Sequence, residues 1–207
     1  MAYRPTDRTR ARAAAARERI VSAALDQLAD GGYASASMAA VARRAGVATG
    51  SVYRHFPSKG DLFAEAFRRA SQREVDVLVA LGHRTMPVRQ RLSAWVHAFV
   101  HRALAEPVRA YALIAEPVDP SVEAERLAFR RAYADLFSRA LRDAMASGEL
   151  PEADPDLAAA AIVGALAEAL LGPLARRETD ADELAAGLEA FVLSAVGAEH
   201  RVAEPVV

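Results

Sequence analysis

Cysteine is absent from the chain. That removes structural disulfides, thiolate zinc sites and cysteine nucleophiles, and it fits a reducing cytoplasm. Strand signals are nearly missing. So is any glycine-rich phosphate loop: Ser58-Lys59-Gly60 reverses the order that a Walker loop needs, so no enzyme is expected. The arginine-rich N-terminus lacks an apolar stretch. Its uncharged small-residue run is Ala13 to Ala16, followed at once by Arg17, Glu18 and Arg19, so no secretory signal is expected. A net excess of charge is missing too, at a formal −1 over 207 residues.

That near-neutrality hides a segregation. Residues 1–60 hold nine Arg and one Lys against four acids, net +6, whereas the remainder holds 16 basic and 23 acidic residues, net −7. A basic module on an acidic body is the distribution expected when only the first part meets phosphate. The alternative is a solvated arginine tail.

With 53% hydrophobic residues the chain can bury a core. Ala, Leu, Arg and Glu dominate, and apolar residues recur at three and four, so the fold expected is all-α. The first helix spans residues 9–30, with Ile20, Ala24, Leu25 and Leu28 on one face, and stops at Gly31-Gly32. Short helices follow over 38–45 and 49–56 around a turn at Gly46. A long one runs from Ser58 to the Gly82 region. Prolines at 87, 107, 117, 120, 151, 155 and 173 divide the rest into helices at 88–105, 107–115, 121–147, 155–175 and 181–197. The segment Leu157 to Ala175 approaches the length of a bilayer span, but Glu168 and its many Ala and Gly residues favour a helix buried against protein.

Spacing is specific between Ser37 and Phe56. Two helices crossing steeply need a small residue at the contact, a glycine where the turn is left-handed, and a branched plug; Ala42, Gly46 and Val52 supply them. Val41, Ala45 and Val47 complete the buried side. The opposite side of the second helix offers Thr49, Ser51, Tyr53, Arg54 and His55, hydrogen-bonding groups with little bulk at the start, as a helix entering a major groove requires.

These residues carry a resemblance. Ile20 through Phe67, with the core MAAVARRAGVATGSVYRHFPSKGDLF, resembles the N-terminal DNA-binding domain of TetR-family regulators, including Gly31-Gly32-Tyr33, Ala42, Gly46-Val47, Gly50, Val52-Tyr53, His55-Phe56 and the Lys59 to Leu62 spacing. The resemblance implies a homeodomain-like three-helix helix-turn-helix domain at 9–60, joined by a long helix to a helical effector-binding and dimerisation domain at 61–207. It also implies roles. Tyr53 and His55 donate to phosphates, and Lys59 adds its charge to the free amides at the next helix start. Thr49 and Ser51 reach base edges, and Gly50 lets backbone approach the DNA. Ser37 stands where the family has threonine and keeps a hydroxyl for a cap or a phosphate, with Ala40 in place of the usual acidic partner. One of Arg43 and Arg44 reaches DNA while its neighbour points elsewhere. Arg54 holds a variable position, and Tyr53 has a core reading beside its phosphate one. Arg4, Arg8, Arg10 and Arg12, around the start of the first helix, either track the minor groove and flanking phosphates or form a loose basic arm.

In the body, Trp95, Phe99, Tyr111, Phe129, Tyr133 and Phe137 read as the lining of an apolar effector pocket or as ordinary core, with His97, His101 or Tyr133 available to orient a ligand. Ile162, Leu166, Leu170, Leu188 and Phe191 read as a dimer interface or as intramolecular packing. His97 and His101 share a helix face, but no further ligand is evident in the sequence, so neither a metal nor a cofactor is expected. The resemblance thus implies a cytoplasmic homodimeric repressor, released from a palindromic operator by a small hydrophobic inducer that tilts the long helix. An effector-free DNA-binding dimer and an activator are the alternatives.

Overall fold

The computed structural model describes residues 7–82, 85–176 and 179–198. Among them the ordered elements are all helices: α1 (Asp7–Ser35), α2 (Met38–Ala45), α3 (Thr49–His55), α4 (Lys59–Leu81), α5 (Val88–Ala105), α6 (Pro107–Ile114), α7 (Pro120–Ala146), α8 (Pro155–Arg176) and α9 (Ala181–Ala195). The main difference from the sequence reading lies at the start. Arg8, Arg10 and Arg12 belong to α1 rather than to an arm before it, because Ala and Arg are strong helix formers and Arg10 pairs with Asp7 at 2.7 Å. Arg4 lies outside the described residues. Gly32, at φ 74°, interrupts α1 where the sequence placed its stop.

Among the described residues the apolar positions recurring at three and four build two large cores and a small third cluster of Ala103, Ala110, Leu170 and Leu174. Ile20, Ala24 and Leu28 of α1 enclose the first with Val41 and Ala42 of α2, Val52 of α3, and Leu62, Phe63 and Phe67 of α4. Each fully buried large side chain there stabilises by about 1.5–3 kcal/mol. Trp95, Phe137, Leu141, Ile162 and Val192 lie in the second core, which takes residues from α4, α5, α7, α8 and α9. α4 serves both, with its first half in one core and Leu78 in the other. α7 runs along α4 and α8, and α9 packs on α5.

α8 is the one helix among the described residues long and apolar enough to cross a membrane. Here Ile162, Leu166 and Leu170 are buried in the bundle, while Ala160, Ala161, Gly164 and Glu168 lie exposed. Pro173, expected to divide helices, sits inside α8 three residues before its end, where its missing N–H removes one hydrogen bond to the preceding turn without ending the helix at once.

Candidate nucleic-acid interface and effector cavity

The helix-turn-helix is built by local rules. The Ser37 hydroxyl caps α2, accepting the Ala40 N–H at 3.2 Å. Gly46 turns the chain in the left-handed region, φ 66° and ψ 39°, and the Val47 N–H returns to the Ala42 carbonyl at 3.0 Å. Val52 is wholly buried, so α3 presents its other side outward. Thr49, Gly50, Tyr53 and Arg54 are exposed there, and Ser51 and His55 half-exposed. Tyr53, at 50% exposure, is not core. Gly50 is informative in another way: a Cβ added to it would meet nothing within 4 Å, and its φ is not positive. Neither packing nor backbone requires glycine at that position.

Arginines sort by their partners. Arg44 turns back to α1, 2.6 Å from Asp30 and 4.0 Å from Asp26. Arg43 is exposed with no ion pair among the described residues. At about 3.6 residues per turn, Arg8, Arg12 and Arg19 share with Asp26 and Asp30 the side of α1 on which α2 sits, and Arg19 donates to the Ala45 carbonyl at 3.3 Å. Arg10 and Arg17 point elsewhere. Arg17 donates to Glu65 at 3.2 Å and lies 4.9 Å over the Phe56 ring. Burial alone would raise the Glu65 carboxyl, but hydrogen bonds from Arg17, Arg69 and Arg68 outweigh it and hold it at about 2. Because Arg69 also binds Glu18, this network clamps α1 to α4.

The junction with the body rests on residues that the sequence reading missed. Glu116, after α6, accepts the Tyr33 N–H at 2.7 Å and the Ala34 N–H at 2.9 Å. Asp119 accepts the Tyr33 hydroxyl. Lys59 is drawn into the same cluster: its ammonium donates to the Tyr33 carbonyl at 2.8 Å and sits 4.1 Å over the Tyr33 ring. Burial lowers its pKa, against the opposing charges of Asp119 and Glu116. The ammonium is therefore directed to the junction rather than to the amides at the start of α4. Buried Arg126 fixes this elbow from the other side, donating to the carbonyls of Ala112, Leu113 and Glu116.

Of the six aromatic residues expected at a pocket, the structure brings three together. Phe99, Phe129 and Tyr133 line two adjoining hollows of about 40 and 30 Å³ between α5, α6, α7 and α8. Leu113 and Ile114 line both as well. Trp95 and Phe137 instead stack edge to face at 5.0 Å in the second core, where the Trp95 indole N–H donates to the Leu78 carbonyl at 2.7 Å. Tyr111 stands 40% exposed over a separate cleft beside Gly31 and Gly32. His97 and His101 lie on the α5–α9 seam, 2.9 Å from Glu189 and 3.2 Å from Asp182 respectively. They form two separate pairs with acids that the sequence reading had not brought near them.

The expected dimer residues need correction on α8. Ile162, Leu166 and Leu170 are 2%, 3% and 0% exposed, because these branched side chains fill the chain's own core. Leu188 is half-buried, while Phe191 is 52% exposed and Leu157, on α8, 68% exposed. Any partner-facing surface here is made of small residues flanked by those two.

Fold and site together define a two-part helical helix-turn-helix protein whose second part contains a small apolar cavity. Comparison with known sequences identifies its kind. Residues 20–66 match the pattern described as bacterial regulatory proteins, tetR family, and residues 85–170 match the tetracyclin repressor-like C-terminal domain. The chain belongs to the TetR family of transcriptional regulators, not to an enzyme family. It is 47% identical over 57 residues to the HTH-type transcriptional repressor KstR of Rhodococcus jostii, a stretch covering 28% of this chain and 27% of that relative. It shares its fold with FadR from Bacillus subtilis in complex with stearoyl-CoA, at TM-score 0.75 and 19% identity over 86% of this chain and 98% of that one. The fatty acid degradation regulator FadR from Bacillus halodurans superposes at TM-score 0.73 and 22% identity, over 85% and 97% of the two chains.

Proposed function

We propose that the protein is a cytoplasmic, homodimeric repressor that holds a palindromic operator and releases it when a small apolar ligand enters the body. The observation that carries the DNA reading is the outward side of α3. It offers Thr49, Tyr53 and Arg54 beside exposed Arg43, with a glycine at 50 that the fold itself does not need. Thr49 and Ser51 meet base edges, Tyr53, His55 and Arg43 meet phosphates, and Gly50 allows close approach. Residues 9–60, completed by the first turns of α4, act as the DNA-binding unit, and 61–207 as the effector and dimer body.

The ligand reading is supported by the aromatic-lined hollows and by stearoyl-CoA bound to the Bacillus subtilis FadR of like fold. Each hollow is far smaller than the roughly 300 Å³ of a typical ligand site, so a ligand must part the rings. Movement of Leu113 and Ile114 then reaches Glu116, and through it the end of α1. Selection by the full chain from a random duplex pool is the test. Enrichment of a palindrome with half-sites about 34–36 Å apart is expected, and no enrichment overturns the reading.

A further inference from the structure

We propose that Tyr133 is the polar anchor of the effector site, its hydroxyl donating to the carbonyl oxygen of an otherwise apolar, uncharged ligand. This rests on the reading of the cavity as an effector site. The Tyr133 side chain is nine-tenths buried, at 5% exposure. Its ring is fixed by edge contacts with Phe129 at 4.4 Å and Phe99 at 5.9 Å, and it lines both hollows. Its hydroxyl makes no hydrogen bond to the described residues and is not fully sealed from solvent, Arg91 Nε being the one fully buried side-chain polar atom without a partner among them, so it is free to take a ligand as its partner. Burial and the nearby Glu74 charge raise its pKa, so at neutral pH it is a donor.

The neighbouring charges decide what it donates to. Glu74, at the rim of the first hollow, is gripped by Arg102 through two hydrogen bonds of 2.6 and 2.9 Å. Arg109 lies 3.9 Å from Glu74 and 2.6 Å from Glu106. In the first hollow these cations are already committed to acids, so a ligand carboxylate seated there at Tyr133 would be buried without a counter-ion of its own, at a high desolvation cost. On the second hollow Arg126 is held by Glu123 and backbone carbonyls, and exposed Arg130 donates to the Ile114 carbonyl at 3.2 Å. A ketone or ester oxygen carries no such penalty. Among the three residues that the sequence offered for orienting a ligand, His97 and His101 are engaged outside the cavity, which leaves Tyr133.

The test is calorimetric titration of the full chain and of Tyr133→Phe with 2-octanone, 1-octene and octanoate. The wild type should bind 2-octanone in preference to octanoate. Tyr133→Phe should weaken 2-octanone by about three- to tenfold, leave 1-octene unchanged, and melt at about the same temperature because no hydrogen bond is lost. Equal affinity of both proteins for 2-octanone, with 1-octene also bound, overturns the anchor and leaves the effector cavity standing. A preference for octanoate overturns the uncharged-ligand assignment. Failure of the wild type to bind any of the three overturns the cavity reading and the anchor with it.

Discussion

Glu116 closes the chain on itself by accepting the backbone N–H of Tyr33 at 2.7 Å, across 83 residues of sequence. With the Ala34 N–H on its other oxygen, one carboxylate satisfies two donors at the break in α1. Hydrogen bonds to a charged group contribute about 1.5–3 kcal/mol each. Glu116→Ala should therefore lower the stability measured by urea unfolding by about 3 kcal/mol, and an unchanged midpoint would show that the elbow holds nothing.

Salt dependence reads the register of α1. Each phosphate contact contributes about −0.9 to the slope of log affinity against log salt. Arg8→Ala with Arg12→Ala should flatten the operator-binding slope by about 2, whereas Arg10→Ala, already paired with Asp7, should leave it alone. Equal effects of the two variants would mean a basic region acting only through its total charge.

Two glycines should respond in opposite ways. Gly46→Ala places a Cβ at φ 66° and should cost about 1–2 kcal/mol of stability. Gly50→Ala meets no atom within 4 Å and removes a glycine from the first turn of α3, so it should leave the melting temperature unchanged or slightly raised while weakening operator binding. Operator affinity unchanged in Gly50→Ala would remove the close-approach role.

Surface and core separate on the last two helices. Phe191→Asp alters a side chain that is 52% exposed and should shift the sedimenting species from dimer to monomer with cooperative melting intact. Ile162→Asp puts a charge where exposure is 2% and should prevent folding. A dimeric Phe191→Asp variant would place the interface elsewhere.

Acid should loosen α1 from α4. Glu65 titrates at about 2 in the folded chain against an ordinary 4.5, so its contribution is complete above about pH 4.5 and is lost as pH falls towards about 2. In Glu65→Gln the loss of stability over that interval should shrink. The same acid sensitivity in both proteins would show that other carboxylates govern it.

Much of this architecture was legible in the sequence, because local sterics write themselves locally. Ala42, Gly46 and Val52 announce the helix crossing, and proline and glycine mark most helix ends within a residue or two. Faces were harder to read. α8 is apolar nearly all round, so periodicity could not distinguish the side that fills the chain's own core, with Ile162, Leu166 and Leu170, from the side that stays open. The aromatic residues divided between cavity and core for the same reason: Trp95 and Phe99 lie one turn apart on α5 and serve different ends. The junction was not legible. Glu116 and Asp119 stand in an acidic loop that looks like any solvated turn, and only folding brings Tyr33 and Lys59 to them.

α4 passes without a break from the first core into the second, and its continuity sets a mechanical ratio. Its 23 residues extend about 35 Å, and the arm from Leu78 back to Ser58 is about 30 Å, so a swing of about ten degrees pivoting at Leu78 carries Ser58 sideways by about 5 Å, roughly one and a half base-pair steps. Such a displacement of α3 lies beyond the reach of side-chain adjustment against DNA. On the proposed reading, a lever arm of this length would need only a small push at the cavity to set its two positions at odds on one operator.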